Sequence, residues 1–323
     1  MTRILDISDP GTLDAALAVL RRGEPVAIPT ETVYGLAADA TDPAAITSIY
    51  ETKGRPRFNP LIAHVADLDM AKAHVVFSPL AERLAEAFWP GPLTLVLPLG
   101  DATGIHPLAT AGLTTAAIRM PEGFARELIG AFGRPLAAPS ANRSGRVSPT
   151  TAQHVADDLG DRIELILDGG RCRVGVESTI LAVNGSQLQL LRPGGIPVEA
   201  IEQAAGCGVE RSAPAAASTA VIAPGMLASH YAPDAPVRLD ATGVLAGEAL
   251  IKFGPSSLKG EDQAKAVLNL SPTGDLREAA ANLFDMLKQA DAAGASGIAV
   301  APVPRHGLGE AINDRLKRAA APR

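Results

Sequence analysis

Cysteine is almost missing from this chain: 323 residues hold two, Cys172 and Cys207. Two thiols cannot build a disulfide scaffold or a thiolate zinc site. Long apolar runs are missing as well. No stretch approaches the roughly 20 residues that a membrane span needs, and Met1-Thr2-Arg3-Ile4-Leu5-Asp6 lacks the apolar core of a secretory leader. The expected setting is the reducing cytoplasm, away from membranes. Positive charge is not in excess either. Lys and Arg number 29 against 35 Asp and Glu, a net charge of -6, with a pI of 5.6. That balance excludes a chain-wide nucleic-acid footprint. Finally, G-x-x-x-x-G-K-[ST], G-x-G-x-x-G, H-E-x-x-H and G-x-S-x-G are all absent. Any nucleotide chemistry must use a less common cradle.

What is present describes a globular protein with ample core: 47% hydrophobic and 20% charged residues. The length suits two domains. Asp9-Pro10 and Asp42-Pro43 read as helix starts, the two helices ending at Gly23 and Gly54. Helices are also predicted over 79–88, 123–132 and 149–159, the last with Ser148 as N-cap. Pro25–Pro29 reads as a buried strand running into a small, polar, Gly-punctuated segment, 30–36. Further strands are predicted over 61–65, 93–97, 116–119, 136–138 and 165–168. Asn184-Gly185 between 179–183 and 188–192 is a hairpin signal. Such mixing predicts an α/β or α+β domain with a partly antiparallel sheet. Near Gly206 the composition shifts to Ala, Pro, Ser and Gly, which reads as a linker. Beyond it, strands and helices alternate to about residue 320. The expected division is therefore 1–206, a linker or lid over 207–236, and a smaller α/β domain over 237–323.

Five stretches carry candidate chemistry. In Lys53-Gly54-Arg55-Pro56-Arg57-Phe58-Asn59-Pro60, three cations fall at alternate positions, and Pro56 and Pro60 oppose a helix. In an extended backbone, Lys53, Arg55 and Arg57 would point the same way, either as a solvated loop or towards an anion. Replacing Lys53 or Arg55 by Ala should then abolish activity without unfolding the protein. Pro139-Ser140-Ala141-Asn142 offers hydrogen-bonding groups for a ribose or phosphate edge, or an ordinary turn. Arg119 ends an apolar strand, where a buried cation needs a carboxylate, structural or from a substrate, the structural one being slightly favoured. Ser178 and Arg192 flank the hairpin, and each could simply begin or end a strand. Met226, His230 and Tyr231 within a linker need somewhere to bury, as an interdomain contact or a lid.

Together these stretches resemble the Sua5/YrdC family. The K-x-R element lies at Lys53 and Arg55 and the S-x-N element at Ser140 and Asn142, with Pro-Thr-Glu-Thr-Val-Tyr-Gly-Leu (29–36) and Arg-Met-Pro (119–121) in order. The Pro-Gly-Met…His-Tyr-Ala-Pro linker and the extra tail resemble the long, two-domain Sua5 form. The resemblance implies a YrdC-like twisted mixed sheet with a positively charged concave face, joined by a long linker to a Rossmann-like tail. It implies the condensation of L-threonine, bicarbonate or CO2, and ATP into threonylcarbamoyl-AMP and pyrophosphate, for the t6A modification at position 37 of tRNA. Mg2+ would arrive on the ATP phosphates, with no protein side chain as its ligand. The product would pass to a downstream threonylcarbamoyl transferase, and contact with tRNA or double-stranded RNA is a further implied property. By the same resemblance Lys53 and Arg55 are catalytic. Lys53, Arg55, Asn59, Thr115, Ser140, Asn142, Ser148, Arg192 and Tyr231 contact ATP. Thr32, His64, Arg119, Ala138 (through its backbone) and Ser178 hold threonine, with His64 the one candidate proton acceptor of suitable intrinsic pKa. Related linkers often carry basic or aromatic residues where this chain has Leu227-Ala228-Ser229, so tight lid closure is less strongly implied than the rest.

Overall fold

The computed structural model describes residues 2–211 and 230–322. Short apolar segments bounded by Gly, Pro or polar turns build a large mixed sheet. Its strands are β1 (Arg3–Asp6), β2 (Val26–Ile28), β3 (Gly35–Asp39), β4 (Ile62–His64), β5 (Leu93–Pro98), β6 (Thr115–Arg119), β7 (Leu136–Ala137), β8 (Leu165–Asp168), β9 (Thr179–Asn184), β10 (Gln187–Arg192) and β11 (Val209–Arg211). They lie in the order β1-β8-β2-β3-β7-β4-β6-β5-β9-β10-β11. Adjacent strands in the chain pair antiparallel at β2/β3, β5/β6 and β9/β10, whereas β4/β6, β5/β9 and β1/β8 are parallel. The predicted Asn184-Gly185 turn joins β9 to β10, with Gly185 at φ 61°. The register of that hairpin shifts between Leu190 and Arg192. A bulge of this kind re-aims side chains, and here it accompanies an inward-facing Arg192.

Local signals set the helix ends. Asp42 accepts a hydrogen bond from the Ala44 amide (2.8 Å) ahead of the helix Pro43–Lys53, which Gly54 closes in the left-handed region at φ 60°. The first helix runs Thr12–Arg21 behind Gly11 rather than from Asp9-Pro10. The helix expected from Ser148 begins instead at Ala152, with Thr151 as its cap, accepting from the His154 amide at 3.2 Å. Residues 148–150 stay out of the helix because the Pro149 carbonyl accepts the Tyr34 amide (2.9 Å), tying that segment to the chain leading into β3. Strand β3 begins at Gly35, at the end of the segment expected to be polar, and runs beyond it to Asp39.

Four further strands, β12 (Val237–Arg238), β13 (Ala249–Lys252), β14 (Val267–Asn269) and β15 (Ile298–Val300), form an all-parallel sheet in the order β12-β15-β13-β14. The helices Leu276–Ala292 and Leu308–Ala319 pack with it. The expected linker does not begin cleanly after Gly206, because β11 pairs with β10 as an edge of the first sheet. Residues 212–229 of the expected linker, with Met226 and Leu227-Ala228-Ser229, lie outside the described residues.

The core of the second sheet reaches into the first domain. Val33, Val147, Val176 and Tyr231 join Ala280, Leu283, Phe284 and Leu287 in one buried cluster. Gly175, at φ 75°, permits this approach: a Cβ there would lie 2.3 Å from the Ala281 Cα. Only hydrogen fits, so the loop before β9 docks directly on the helix Leu276–Ala292.

Candidate active site

Parallel pairing of β4 with β6 sets His64 opposite Arg119 at the ends of both strands. Arg119 is 4% exposed. Its guanidinium donates to Glu31 Oε1 at 2.6 Å, to Thr32 Oγ1 at 3.0 Å and to the Gly91 carbonyl at 3.2 Å. The partner of Arg119 in this structure is therefore the structural carboxylate of Glu31, a residue not singled out from the sequence. Thr30 shapes the turn that presents Glu31 and Thr32, its hydroxyl accepting the Thr32 and Val33 amides and donating to the Val33 carbonyl. His64 is buried, with Nδ1 3.2 Å from the Ile62 carbonyl. Burial, and then the Arg119 charge, push its pKa down to about 3. The expectation of a proton acceptor of ordinary basicity is thus corrected: here His64 is a neutral, weakly basic ring.

Ser178, which lines the same pocket as His64, immediately precedes β9. Its hydroxyl lies 2.7 Å from Thr94 Oγ1, and Arg192 donates to the Ser178 carbonyl at 2.9 Å and to its hydroxyl at 3.2 Å. Gly194 packs so closely that a Cβ would lie 2.4 Å from the Glu177–Thr179 backbone. Glu177 beside it accepts the Ser148 hydroxyl at 2.6 Å and Arg315 Nε at 2.8 Å. Burial favours a protonated Glu177, but Arg315 and Arg192 outweigh it and hold its pKa down to about 2.

The basic stretch does not form one cationic row. Gly54 turns the chain, so Lys53 ends a helix while Arg57 is left exposed. Lys53 is 3% exposed, and its Nζ donates to the Ser140 and Asn142 carbonyls, each at 2.5 Å. It is not a surface cation but a clamp between the helix and the 140–142 turn. Burial, and then Arg55, lower its pKa well below that of a free lysine. Arg55 is also buried, fixed by the Asn59 and Pro60 carbonyls at 3.2 and 2.9 Å, and burial draws its pKa down to about 10, still cationic at neutral pH.

One pocket gathers Thr32, Arg55, His64, Arg119, Ala138, Ser140, Ser178, Arg192 and Tyr231, together with Glu177 and His230. Nine of the residues named from the sequence meet there. Lys53, Asn59, Thr115, Asn142 and Ser148 are not among its lining residues. Of these, Lys53 and Asn142 sit behind Ser140, and Ser148 sits behind Glu177. The Oδ1 atoms of Asn59 and Asn142, both buried, have no hydrogen-bond partner. The charged lining is three guanidiniums, Arg55, Arg119 and Arg192, against one carboxylate, Glu177. His64 and His230 add no charge, since burial pushes His230 to about 3 as well. Such a site is built for an anion. Among the described residues no three His, Cys, Asp or Glu side chains converge as a metal site, and no helix is long and apolar enough to cross a membrane.

Tyr231 closes the pocket on the side of the second sheet. It is 1% exposed, holds the left-handed backbone at φ 61°, and stacks on Phe284 with ring centroids 5.5 Å apart. The Arg315 guanidinium lies over its ring at 5.2 Å. Arg315, fully buried on the helix Leu308–Ala319, was not anticipated. Its signal was present in the sequence, a cation on the stripe Ala311, Ile312, Leu316 and Ala319.

Comparison with known proteins agrees with this geometry. The family described as "Telomere recombination" matches residues 18–194, and the "Threonylcarbamoyl-AMP synthase, C-terminal domain" matches 196–321. The chain is 43% identical to the threonylcarbamoyl-AMP synthase of Pyrococcus abyssi over 94% of this chain and 93% of that one. It is 41% identical to that of Bacillus subtilis, over 100% and 96%. A crystal structure of P. abyssi Sua5 complexed with L-threonine superposes with a TM-score of 0.89 at 39% identity, covering 99% of this chain and 98% of the other. Escherichia coli YciO, at 20% identity and a TM-score of 0.53 over 60% of this chain, shares the fold.

Proposed function

The chain belongs to the Sua5/YrdC family, and from that membership we propose that it is a threonylcarbamoyl-AMP synthase. Its substrates are L-threonine, bicarbonate or CO2, and ATP; its products are threonylcarbamoyl-AMP and pyrophosphate. The observation that carries this reading is the buried pocket in which Arg55, Arg119 and Arg192 converge with Thr32, His64, Ser140 and Ser178.

The chemistry asks for two anions to meet. The threonine amine adds CO2 to give a carbamate, whose oxygen attacks the α-phosphorus of ATP while the bond to pyrophosphate breaks. Fixed positive charge and alignment are the main requirements. On the threonine side Arg119 takes the substrate carboxylate, sharing or exchanging its contact with Glu31, while Thr32, His64, Ala138 and Ser178 surround the amino acid. On the nucleotide side Arg55, Ser140 and Arg192 face the phosphates. Lys53 and Asn142 support that half from behind Ser140, and Ser148 from behind Glu177; Asn59 and Thr115 join the ATP contacts by family resemblance, and Tyr231 closes over it. Mg2+ enters with the phosphates as part of the nucleotide substrate. No covalent intermediate is needed: burial raises the Cys172 thiol to about 12, which keeps it protonated and unreactive. The adenylate then serves a threonylcarbamoyl transferase acting on tRNA.

Mass spectrometry of a reaction containing ATP, bicarbonate and L-threonine tests the proposal. A product of the mass of threonylcarbamoyl-AMP is expected. Only unreacted ATP, from folded protein that binds it, would leave RNA binding as the better reading.

A further inference from the structure

The helix Leu308–Ala319 belongs to the second sheet's domain, yet its Arg315 is the only described residue of that helix to ion-pair with a carboxylate lining the pocket. That side chain is 0% exposed. Nε donates to Glu177 Oε2 at 2.8 Å and Nη1 to Asp314 at 2.7 Å, while Nη2 has no hydrogen-bond partner. The opposite oxygen of Glu177 holds Ser148 at 2.6 Å, and the next residue, Ser178, holds Arg192. Glu177 therefore holds Ser148 directly, while Arg192 is held by the adjacent Ser178. Glu177 is also the one carboxylate among the described residues lining the pocket. Left unpaired there, it would repel a polyphosphate.

We propose that Arg315 is a positioning residue for ATP: it neutralises Glu177 from the second domain and, through that carboxylate, fixes Ser148. This rests on the reading of the pocket as a threonylcarbamoyl-AMP synthase site. It gives the second domain a definite task in nucleotide binding. Arg315 also lies over Tyr231, so the same guanidinium joins the acid and the closing aromatic. Removing the cation leaves Glu177 buried, charged and facing the phosphates. Replacing both partners by glutamine takes away the repulsion, and the amide oxygen that Glu177→Gln introduces still accepts the Ser148 hydroxyl.

The test compares wild type, Arg315→Gln, Glu177→Gln and the double variant, by direct binding of ATP and by KM for each substrate. Arg315→Gln should weaken ATP about tenfold or more, with KM for L-threonine changed less than about threefold. The double variant should recover ATP affinity to within about threefold of wild type. A merely structural arginine would weaken ATP and L-threonine alike, so the split between the two substrates separates the roles, and rescue in the double variant identifies Glu177 as the group concerned. ATP binding unchanged in Arg315→Gln, or a double variant as weak as the single one, would overturn the proposal. Should Arg315→Gln fail to fold, the double variant decides: folded with near wild-type ATP affinity supports it, folded and about tenfold weaker refutes it. Failure of the enzyme reading itself would appear separately, as wild type that binds ATP but forms no adenylate.

Discussion

Replacing Lys53 by Met keeps the aliphatic stem and removes the ammonium, and the structure places the consequence in stability before catalysis. Nζ donates to two carbonyls at 2.5 Å inside the protein. The Ser140 carbonyl also accepts the Asn142 amide at 3.0 Å, so it would keep one donor. No other donor to the Asn142 carbonyl accompanies Lys53 among the described contacts, and that group would be left buried and unpaired. An unsatisfied buried carbonyl costs about 1–3 kcal/mol, and the second bond to Ser140 about 1 more, partly offset by no longer burying a charge. A net loss of about 1–3 kcal/mol is expected. With a urea m-value of about 3 kcal/mol/M for a chain this size, the unfolding midpoint should fall by about 0.3–1 M. Equilibrium urea unfolding, followed by Trp89 fluorescence, measures this, and amide exchange in residues 140–146 should quicken alongside. An unchanged midpoint with lost turnover would refute the reasoning and return Lys53 to the role of a ligand-facing cation.

Other outcomes follow from the same contacts. Glu31→Gln weakens the buried pair with Arg119 and should cost about 2–4 kcal/mol; L-threonine, whose carboxylate can replace the lost one, should raise Tm more in the variant than in wild type. Equal shifts would show that the two carboxylates do not compete. Acid should destabilise the protein early. His64 and His230 are held near 3 when folded but take up protons near 6.5 when unfolded. Stability should therefore fall as pH drops below about 6, by about 2.7 kcal/mol per unit for the two together, whereas Glu177, held down to about 2, adds its loss only below about 4.5. A urea midpoint that stays level from pH 6 to 4.5 would contradict this. Gly175→Ala places a methyl on the Ala281 backbone at a positive φ, and should cost at least about 2 kcal/mol. Faster amide exchange across 276–292 would report the loosened docking.

Much of the architecture was legible because its signals are local. Asp42-Pro43, Gly54 and Asn184-Gly185 each act within a few residues, and the structure uses all three as read. Strand β3 was missed because Gly-Leu-Ala-Ala-Asp lacks β-branched residues and is buried on both faces, so it shows no alternation. Alternation also misled at Lys53, Arg55 and Arg57, because side chains share a side only if the backbone stays extended, and Gly54 in the left-handed region breaks that condition. The candidate site was legible as a set of residue types. Their partners were not, since Glu31 with Arg119 and Glu177 with Arg315 are separated by 88 and 138 residues and meet only through sheet order and domain docking.

The most direct test of the proposed activity is pyrophosphate release measured with each substrate omitted in turn and with L-serine and D-threonine in place of L-threonine. Release is expected only when ATP, bicarbonate and L-threonine are present together, and it should be lost in Arg119→Ala. Release that is indifferent to the amino acid would show that the pocket does not hold both substrates at once, and would contradict the assignment.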